Sequence, residues 1–187
     1  MNKIILITGG ARSGKSEFAE ELAQKLGKEE SLAYIATAQI YDEEMRQRVL
    51  MHQARRDKQW QTFEAPYHAA ETIRASATSN DVILFDCLTL YLTNLLLAPD
   101  HPQDDAAHLD LILQEIDQLL VAARGCGKTV LFVTNEVGAG IVPENALARK
   151  YRDWAGWVNQ KVAKTADEVY FVVCGLPVEI KSLAKSV

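Results

Sequence analysis

The segment KIILITGGARSGKS, residues 3–16, decides the fold of this 187-residue chain. Residues 4–8 are apolar or β-branched, which is typical of a strand buried on both faces of a parallel sheet. Two glycines then end the strand, and residues 16–26 carry apolar side chains at helical spacing. A buried strand that passes through a glycine-rich turn into a helix predicts an α/β fold with a phosphate-binding loop.

The glycine-rich turn fits the pattern G-x-x-x-x-G-K-S of a P-loop. In such a loop the backbone amides surround the phosphates, the lysine adds positive charge, and the serine hydroxyl is a ligand for Mg²⁺. We therefore predict binding of a nucleoside triphosphate, GTP or ATP, together with Mg²⁺; a glycine-rich turn without a ligand is the alternative. The predicted phosphate-binding residues are Gly9, Gly10, Ala11, Arg12, Ser13, Gly14, Lys15 and Ser16.

The rest of the chain alternates between apolar runs and amphipathic segments, as expected for a mostly parallel central sheet flanked by helices. Strands are predicted at residues 32–37, 60–64, 81–86, 129–134, 168–173 and 178–181. Helices are predicted at residues 42–56, 67–77, 88–97, 109–124 and 145–166, with a loop at residues 98–105. No linker or internal repeat interrupts the alternation, so we expect residues 1–187 to form a single P-loop NTPase-type domain.

Composition limits the classes of protein to which the chain can belong. The formal net charge is −5 and the pI about 5.4, and Lys and Arg are spread along the chain, so no nucleic-acid partner is expected. No segment approaches the roughly 18 apolar residues of a membrane helix, so we expect a cytoplasmic protein without membrane insertion. Cys87, Cys126 and Cys174 show no CxxC spacing, which predicts reduced thiols rather than a zinc site or disulfides.

Polar residues follow several predicted strands, at the edge where open parallel sheets bind ligands. Asp86 ends a buried strand and is the predicted carboxylate near the metal ion; capping the next helix is its alternative role. Thr37 and Gln39 follow another strand. The carboxylate of Glu64 can accept hydrogen bonds from a guanine, with an exposed glutamate without a ligand as the alternative.

Two further segments contain candidate ligand residues. His52 lies among arginines on the predicted helix at residues 42–56. A neutral imidazole can attack phosphorus, so His52 is a candidate nucleophile, with a solvated surface histidine as the alternative. The glycine-rich loop at residues 134–143 follows a buried strand and is a candidate ligand contact. Beyond it, Arg152 can meet phosphate or pair with Asp153.

Considered together, these segments resemble the bifunctional adenosylcobinamide kinase / adenosylcobinamide-phosphate guanylyltransferase family of cobalamin biosynthesis. The P-loop is shared by many families, whereas the patterns NEVGxGIVP and RDxxGxxNQxxAxxADEV are specific in combination. The resemblance covers nearly the whole chain and is carried by ITGGARSGKS (7–16), YIATAQ (34–39), DEEMRQRVLMHQARR (42–56), W-x-T-x-E (60–64), NEVGAGIVPEN (135–145) and RDWAGWVNQKVAKTADEVYFVVCGLPVEIK (152–181).

The resemblance implies a strand-exchange-ATPase-like domain with two activities. Such enzymes phosphorylate the hydroxyl of the aminopropanol arm of adenosylcobinamide with GTP or ATP. They then transfer GMP from GTP, through a histidine, to adenosylcobinamide phosphate, and the products are adenosylcobinamide-GDP and pyrophosphate. His52, four residues after Arg48, occupies the position of that histidine; some members have a second histidine where this chain has Met51. Lys15 and His52 are the implied catalytic residues.

The resemblance also implies nucleotide contacts outside the P-loop. Some members have a D-G-R-P turn where this chain has ARRD at residues 54–57, so the chain departs from the family pattern there. A homo-oligomer is implied, with a trimer as the suggested form and active sites near subunit contacts. The implied contacts are Ala36, Thr37, Ala38, Gln53, Ala54, Arg55, Arg56, Glu64 and Asp86, and the implied ligands of Mg²⁺ are Ser16 and Asp86.

Two other functions stay open from the sequence. A monofunctional P-loop kinase of a small alcohol transfers only the γ-phosphate and forms no covalent protein–nucleotide intermediate. A GTP-binding regulator or an assembly ATPase is the non-enzymatic alternative, although the Asn-Lys-x-Asp guanine motif is not found.

Guanylyl transfer attacks the α-phosphate, whereas a P-loop presents the γ-phosphate. We therefore expect the P-loop to hold the leaving pyrophosphate or the product phosphate while His52 reaches the α-phosphorus.

Overall fold

The computed structural model describes residues 2–27, 31–39, 43, 47 and 60–185. Its seven strands are β1 (Ile4–Gly9), β2 (Leu32–Ala36), β3 (Trp60–Glu64), β4 (Val82–Asp86), β5 (Thr129–Asn135), β6 (Glu168–Val173) and β7 (Leu176–Glu179). Its helices are α1 (Lys15–Leu26), α2 (Ala69–Ser76), α3 (Leu88–Leu96), α4 (Asp105–Gly125) and α5 (Ala146–Thr165).

The strands form one sheet in the order β3-β2-β4-β5-β1-β6-β7. All neighbouring pairs are parallel except β6 and β7. Helix α1 packs on one face, against side chains such as Ile5 and Leu84. Helices α2 to α5 cover the other face, where Ile4, Ile35 and Phe85 lie in the larger core. The predicted α/β fold with a mostly parallel sheet is confirmed.

The carboxyl ends of the parallel strands meet at one edge of the sheet, called here the carboxyl edge. Ala36 of β2 lies opposite both Glu64 of β3 and Asp86 of β4. Gly9 of β1 lies opposite Asn135 of β5 at the same edge. The fold therefore brings the P-loop and the predicted residues of three other strands to a common edge.

Several predicted boundaries are shifted by one to four residues, and two of these shifts have a plain physical reason. Helix α4 begins at Asp105 rather than residue 109, because Asp104 caps it with a carboxylate that accepts a hydrogen bond from Ala107 N at 2.9 Å. Strand β7 begins at Leu176 rather than residue 178, since a two-residue turn places Leu176 opposite Val173.

The predicted helix at residues 42–56 lies outside the described residues, apart from Glu43 and Gln47, which are both helical. Within the ranges that the structure describes, no helix is long and apolar enough to cross a bilayer.

Candidate active site

The P-loop leaves β1 at Gly9 and enters α1 at Lys15. It turns through two residues with positive φ, Arg12 at 57° and Gly14 at 93°, and Ser13 N donates to Gly10 O at 3.3 Å. A Cβ added at Gly9 would lie 2.5 Å from Val172 O. Position 9 therefore requires glycine, because the neighbouring strand β6 approaches the loop too closely for any side chain.

The start of α1 offers a binding site for an anion. No described side chain caps the helix, whose N-cap is Gly14. The first amides of a helix have no partner within it, and the positive end of the helix dipole lies beside them. A phosphate group would satisfy both, as the sequence predicts for this loop.

Lys15 folds back over the loop and is close to two groups at the end of β4. Its Nζ donates to Gly10 O at 3.1 Å. Burial lowers the pKa of the Lys15 ammonium, while the neighbouring Cys87 thiol and Asp86 carboxylate act in the opposite direction. Since phosphate oxygens stabilise a charged ammonium, Lys15 is poised for an anionic ligand at the carboxyl edge.

The P-loop is held from two sides by backbone hydrogen bonds. Gly175, in the turn between β6 and β7, donates its N–H to Ser13 O at 2.8 Å. A Cβ added at Gly14 would lie 3.0 Å from Gly175 Cα. On the other side, Glu136 N donates to Gly9 O at 3.0 Å. The β6–β7 turn thus contacts the P-loop directly, a role that was not predicted from the sequence; a Cys-Gly pair directly after a strand was the available signal.

Asp86 is oriented by a buried tyrosine. Tyr34 is 5% exposed, and its hydroxyl donates to Asp86 Oδ2 at 3.0 Å. The Tyr34 ring stands edge-on to Trp60, with ring centroids 6.3 Å apart. This role of Tyr34 was not predicted from the sequence, because a buried tyrosine on a strand is usually a packing residue.

Ser16 and Asp86 supply oxygen donors of the kind that Mg²⁺ prefers. No group of three or more His, Cys, Asp or Glu side chains that could hold a metal ion occurs among residues 2–27, 31–39, 43, 47 and 60–185. Mg²⁺ in nucleotide sites is commonly bound by one or two protein ligands, phosphate oxygens and water. The hydroxyl of Ser16 at the start of α1 and the carboxylate of Asp86, which accepts a hydrogen bond from Tyr34, are chemically suited to such an ion.

Thr37 connects the ends of β2 and β4 from inside the protein. Its side chain is 0% exposed, its hydroxyl donates to Cys87 O at 2.9 Å, and the same oxygen accepts from Cys87 N at 2.8 Å. Asn94 Nδ2 donates to Thr37 O at 2.8 Å. Ala36 and Ala38 on either side are partly exposed. The predicted nucleotide contact of Thr37 stays a prediction, and its hydroxyl already has two backbone partners.

Glu64 is exposed at the end of the edge strand β3. Four strand spacings separate it from β1, a distance of roughly 19 Å at about 4.8 Å per strand. A nucleotide in contact with both Glu64 and the P-loop has to lie extended across the ends of β2, β4 and β5.

The loop after β5 is tied to α5 at its start and exposed further on. Thr134 Oγ1 donates to Asn159 Oδ1 at 2.7 Å, and Asn159 Nδ2 donates to Asn135 O at 3.2 Å. Arg152 Nε lies 3.7 Å from Asp153 Oδ1, so the ion pair that the sequence offered as an alternative is present. A phosphate contact of Arg152 stays a prediction.

The remaining predicted site residues follow one another at positions 52–56. His52, Gln53, Ala54, Arg55 and Arg56 lie outside the described residues, so the nucleophilic role of His52 and the contacts after it stay predictions.

Comparison with known proteins identifies the family. Residues 5–180 match the family described as cobinamide kinase / cobinamide phosphate guanyltransferase. The "Bifunctional adenosylcobalamin biosynthesis protein CobU" of Salmonella typhimurium is 47% identical over 183 residues, covering 95% of this chain and 99% of that protein. Its namesake in Escherichia coli is 46% identical over 184 residues, again covering 95% of this chain and 99% of the relative.

A third relative supports the same family, and a solved structure resembles the chain in fold. The "Bifunctional adenosylcobalamin biosynthesis protein CobP" of Pseudomonas aeruginosa is 45% identical, covering 94% of this chain and 96% of that protein. A solved ATPase domain superposes with a TM-score of 0.54 at 16% identity, covering 91% of this chain and 69% of that one; at such low identity the likeness concerns the fold alone. The chain belongs to the cobinamide kinase / cobinamide phosphate guanyltransferase family.

Proposed function

We propose that this chain catalyses both reactions for which its family is named. It phosphorylates cobinamide or adenosylcobinamide with GTP or ATP, and it then transfers GMP from GTP to the new phosphate. One observation carries the proposal: a P-loop with Lys15 lies beside Asp86 at the carboxyl edge, in a chain that matches bifunctional relatives over 95% of its length.

In the kinase step, the P-loop amides and Lys15 hold the β- and γ-phosphates in place. The substrate hydroxyl attacks the γ-phosphorus, the bond from that phosphorus to the β–γ bridging oxygen breaks, and GDP or ADP leaves; the hydroxyl proton passes to solvent. Positioning and charge stabilisation supply most of the catalysis in such transfers. Lys15 fits this role because its ammonium is partly desolvated and lies against the loop.

Ser16 and Asp86 would hold Mg²⁺, which neutralises charge that develops on the phosphates when it is bound. Tyr34 then acts as a positioning residue, because its hydrogen bond fixes one carboxylate oxygen of Asp86.

In the guanylyltransferase step, we propose that His52 is the nucleophile. A bond forms between its imidazole nitrogen and the α-phosphorus while the α–β bridging bond breaks, and pyrophosphate leaves. A phosphate oxygen of the phosphorylated substrate then attacks the same phosphorus, and the bond to His52 breaks. The P-loop binds the departing pyrophosphate, and Glu64 binds the guanine; the position of both at the carboxyl edge supports this arrangement.

We further infer a cytoplasmic homo-oligomer, with a trimer as the suggested form, in which residues 1–187 form one catalytic domain. Exposed apolar side chains near the carboxyl terminus support a subunit contact, since surfaces of this kind commonly mark interfaces. Leu176 is 69% exposed, Val178 48% and Leu183 70%.

The test is a product analysis by mass spectrometry with GTP, Mg²⁺ and adenosylcobinamide. We expect adenosylcobinamide phosphate first and adenosylcobinamide-GDP later. Replacement of Lys15 by methionine should slow the first step by about 100-fold or more, the usual effect of removing one group that stabilises transition-state charge. Lys25→Met, on the exposed far end of the same helix, is the matched control and should leave both steps unchanged.

The alternatives give different products. Accumulation of the phosphate without the GDP product would indicate a kinase alone. Hydrolysis of GTP that does not respond to adenosylcobinamide would contradict the proposal and favour a regulator or an assembly ATPase.

A further inference from the structure

An apolar cleft of about 290 Å³ lies between α3 and α5, away from the P-loop. Two of its leucines are half exposed, Leu97 at 53% and Leu147 at 48%. We call it the α3–α5 cleft; it is lined chiefly by Thr93, Leu96, Leu97, Leu147, Ala148 and Tyr151.

The polar groups of the cleft point into the protein rather than toward a ligand. Thr93 Oγ1 donates to Thr89 O at 2.9 Å, and Tyr151 OH donates to the same oxygen at 3.1 Å. Burial raises the pKa of Tyr151 to about 12, so this hydroxyl stays neutral. Asn145 Oδ1 accepts from Ala148 N at 3.0 Å and caps α5. A ligand therefore meets mainly methyl and methylene groups.

The cleft lies on the side of the molecule where the carboxyl edge of the sheet is found. Helix α5 runs from beyond this edge toward the opposite one, where Asp167 N donates to Ile4 O. Asn159 of α5 lies level with the end of β5, because it donates to Asn135 O. Ala148 comes 11 residues earlier, about 17 Å along the helix axis at 1.5 Å per residue.

We propose that the α3–α5 cleft binds an apolar edge of the corrin ring of cobinamide. The inference rests on the proposed function, in which a hydroxyl on one arm of this large substrate has to reach the P-loop. The P-loop recognises only phosphate, so the ring needs its own contacts at some distance from the loop and on the same edge. The cleft meets both conditions, and its leucines match the methyl-bearing rim of a corrin.

The experiment places a charge in the cleft without disturbing the core. Leu97→Asp and Leu147→Asp change half-exposed side chains, and an aspartate at position 147 suits the first turn of α5 electrostatically. Leu147→Met keeps the apolar contact. Leu111→Asp is the matched control, because Leu111 is 45% exposed on α4 and does not line the cleft.

Two quantities are measured: the Kd of cobinamide by equilibrium dialysis without nucleotide, and the KM of each substrate. In each aspartate variant we expect the Kd and KM of cobinamide to rise about tenfold, equivalent to roughly 1.4 kcal/mol. The KM of GTP should stay unchanged. Leu147→Met and Leu111→Asp should both behave as the unaltered protein.

The possible failures are distinguishable. If the unaltered protein phosphorylates cobinamide and the aspartate variants keep its Kd and KM, the cleft proposal is wrong and the proposed function stands. If cobinamide binds but is never phosphorylated, and the aspartate variants lose that binding, the cleft proposal stands and the proposed function fails. Absence of both binding and turnover overturns both. Sedimentation shows whether the aspartate variants also dissociate from an oligomer. If cobinamide binding weakens only in variants that dissociate, the cleft is a contact with a second copy of the chain, and the proposal is overturned.

Discussion

Replacement of Gly175 by alanine is expected to weaken nucleotide binding even though Gly175 lies outside the P-loop. The two-residue turn formed by Cys174 and Gly175 has positive φ at both positions, 53° and 79°, as in a type I′ hairpin turn. A Cβ at Gly175 meets no atom within 4 Å, so the cost of the substitution is the left-handed backbone alone, about 1–2 kcal/mol. Relaxation of this strain shifts the turn and withdraws the Gly175 amide from Ser13 O.

If the P-loop loses about 1–2 kcal/mol of binding free energy for GTP, the Kd of GTP rises roughly 5- to 30-fold. Gly127→Ala is the control, because Gly127 has a similar φ of 73° and also has no atom within 4 Å of an added Cβ. It lies just before β5, at the opposite edge of the sheet from the P-loop.

Isothermal titration calorimetry gives the Kd of GTP, and urea unfolding gives the free energy of unfolding. Both variants should lose a similar free energy of unfolding, whereas only Gly175→Ala should bind GTP more weakly. An unchanged Kd in Gly175→Ala, or equal weakening in both variants, would refute the reasoning.

Three further predictions concern the end of β4. Tyr34→Phe removes the hydrogen bond to Asp86 and should raise the Mg²⁺ concentration for half-maximal kinase rate about fivefold, for a bond of roughly 1 kcal/mol; an unchanged titration would contradict the positioning role. Thr37→Val removes two hydrogen bonds to Cys87 and should lower the free energy of unfolding by about 2–3 kcal/mol; a lower GTP affinity at full stability would instead favour direct nucleotide contact. Burial raises the pKa of Cys87 to about 11, so about one thiol in a thousand is ionised at pH 8. A thiol reagent should therefore modify the exposed Cys174 quickly and Cys87 only after unfolding. Equal rates of modification at the two cysteines in the native protein would contradict this prediction.

The fold was predictable because its signals are local. Each parallel strand except β3 is a short, mostly apolar run, and the glycines of residues 9–14 mark the turn into α1. Helix α4 was predicted too short since Pro99 and Pro102 suggested a loop, although Asp104 three residues before Ala107 was an N-cap signal. Boundaries of this kind depend on one side-chain hydrogen bond.

The site was predictable only in part, because contacts between residues on different strands leave no pattern in the local sequence. Asp86 could be proposed from its place at the end of an apolar run. Its hydrogen bond from Tyr34 spans 52 residues, and the contact of Gly175 with Ser13 joins segments from nearly opposite ends of the chain. Thr37 differs from these two: its position at the carboxyl edge was predicted from the sequence, whereas its burial and its hydrogen bonds to Cys87 depend on strand order.

Retention of a radioactive nucleotide on the protein tests the bifunctional account most directly. The protein is incubated with Mg²⁺ and GTP labelled at either the α- or the γ-phosphate, then denatured, alongside His52→Ala and a control His68→Ala that changes an exposed histidine. The account predicts label from the α-position alone, stable to base, released by acid, present in the control and absent in His52→Ala. If no label is retained while γ-phosphate still passes to adenosylcobinamide, the protein is a kinase alone and the role given to His52 is wrong.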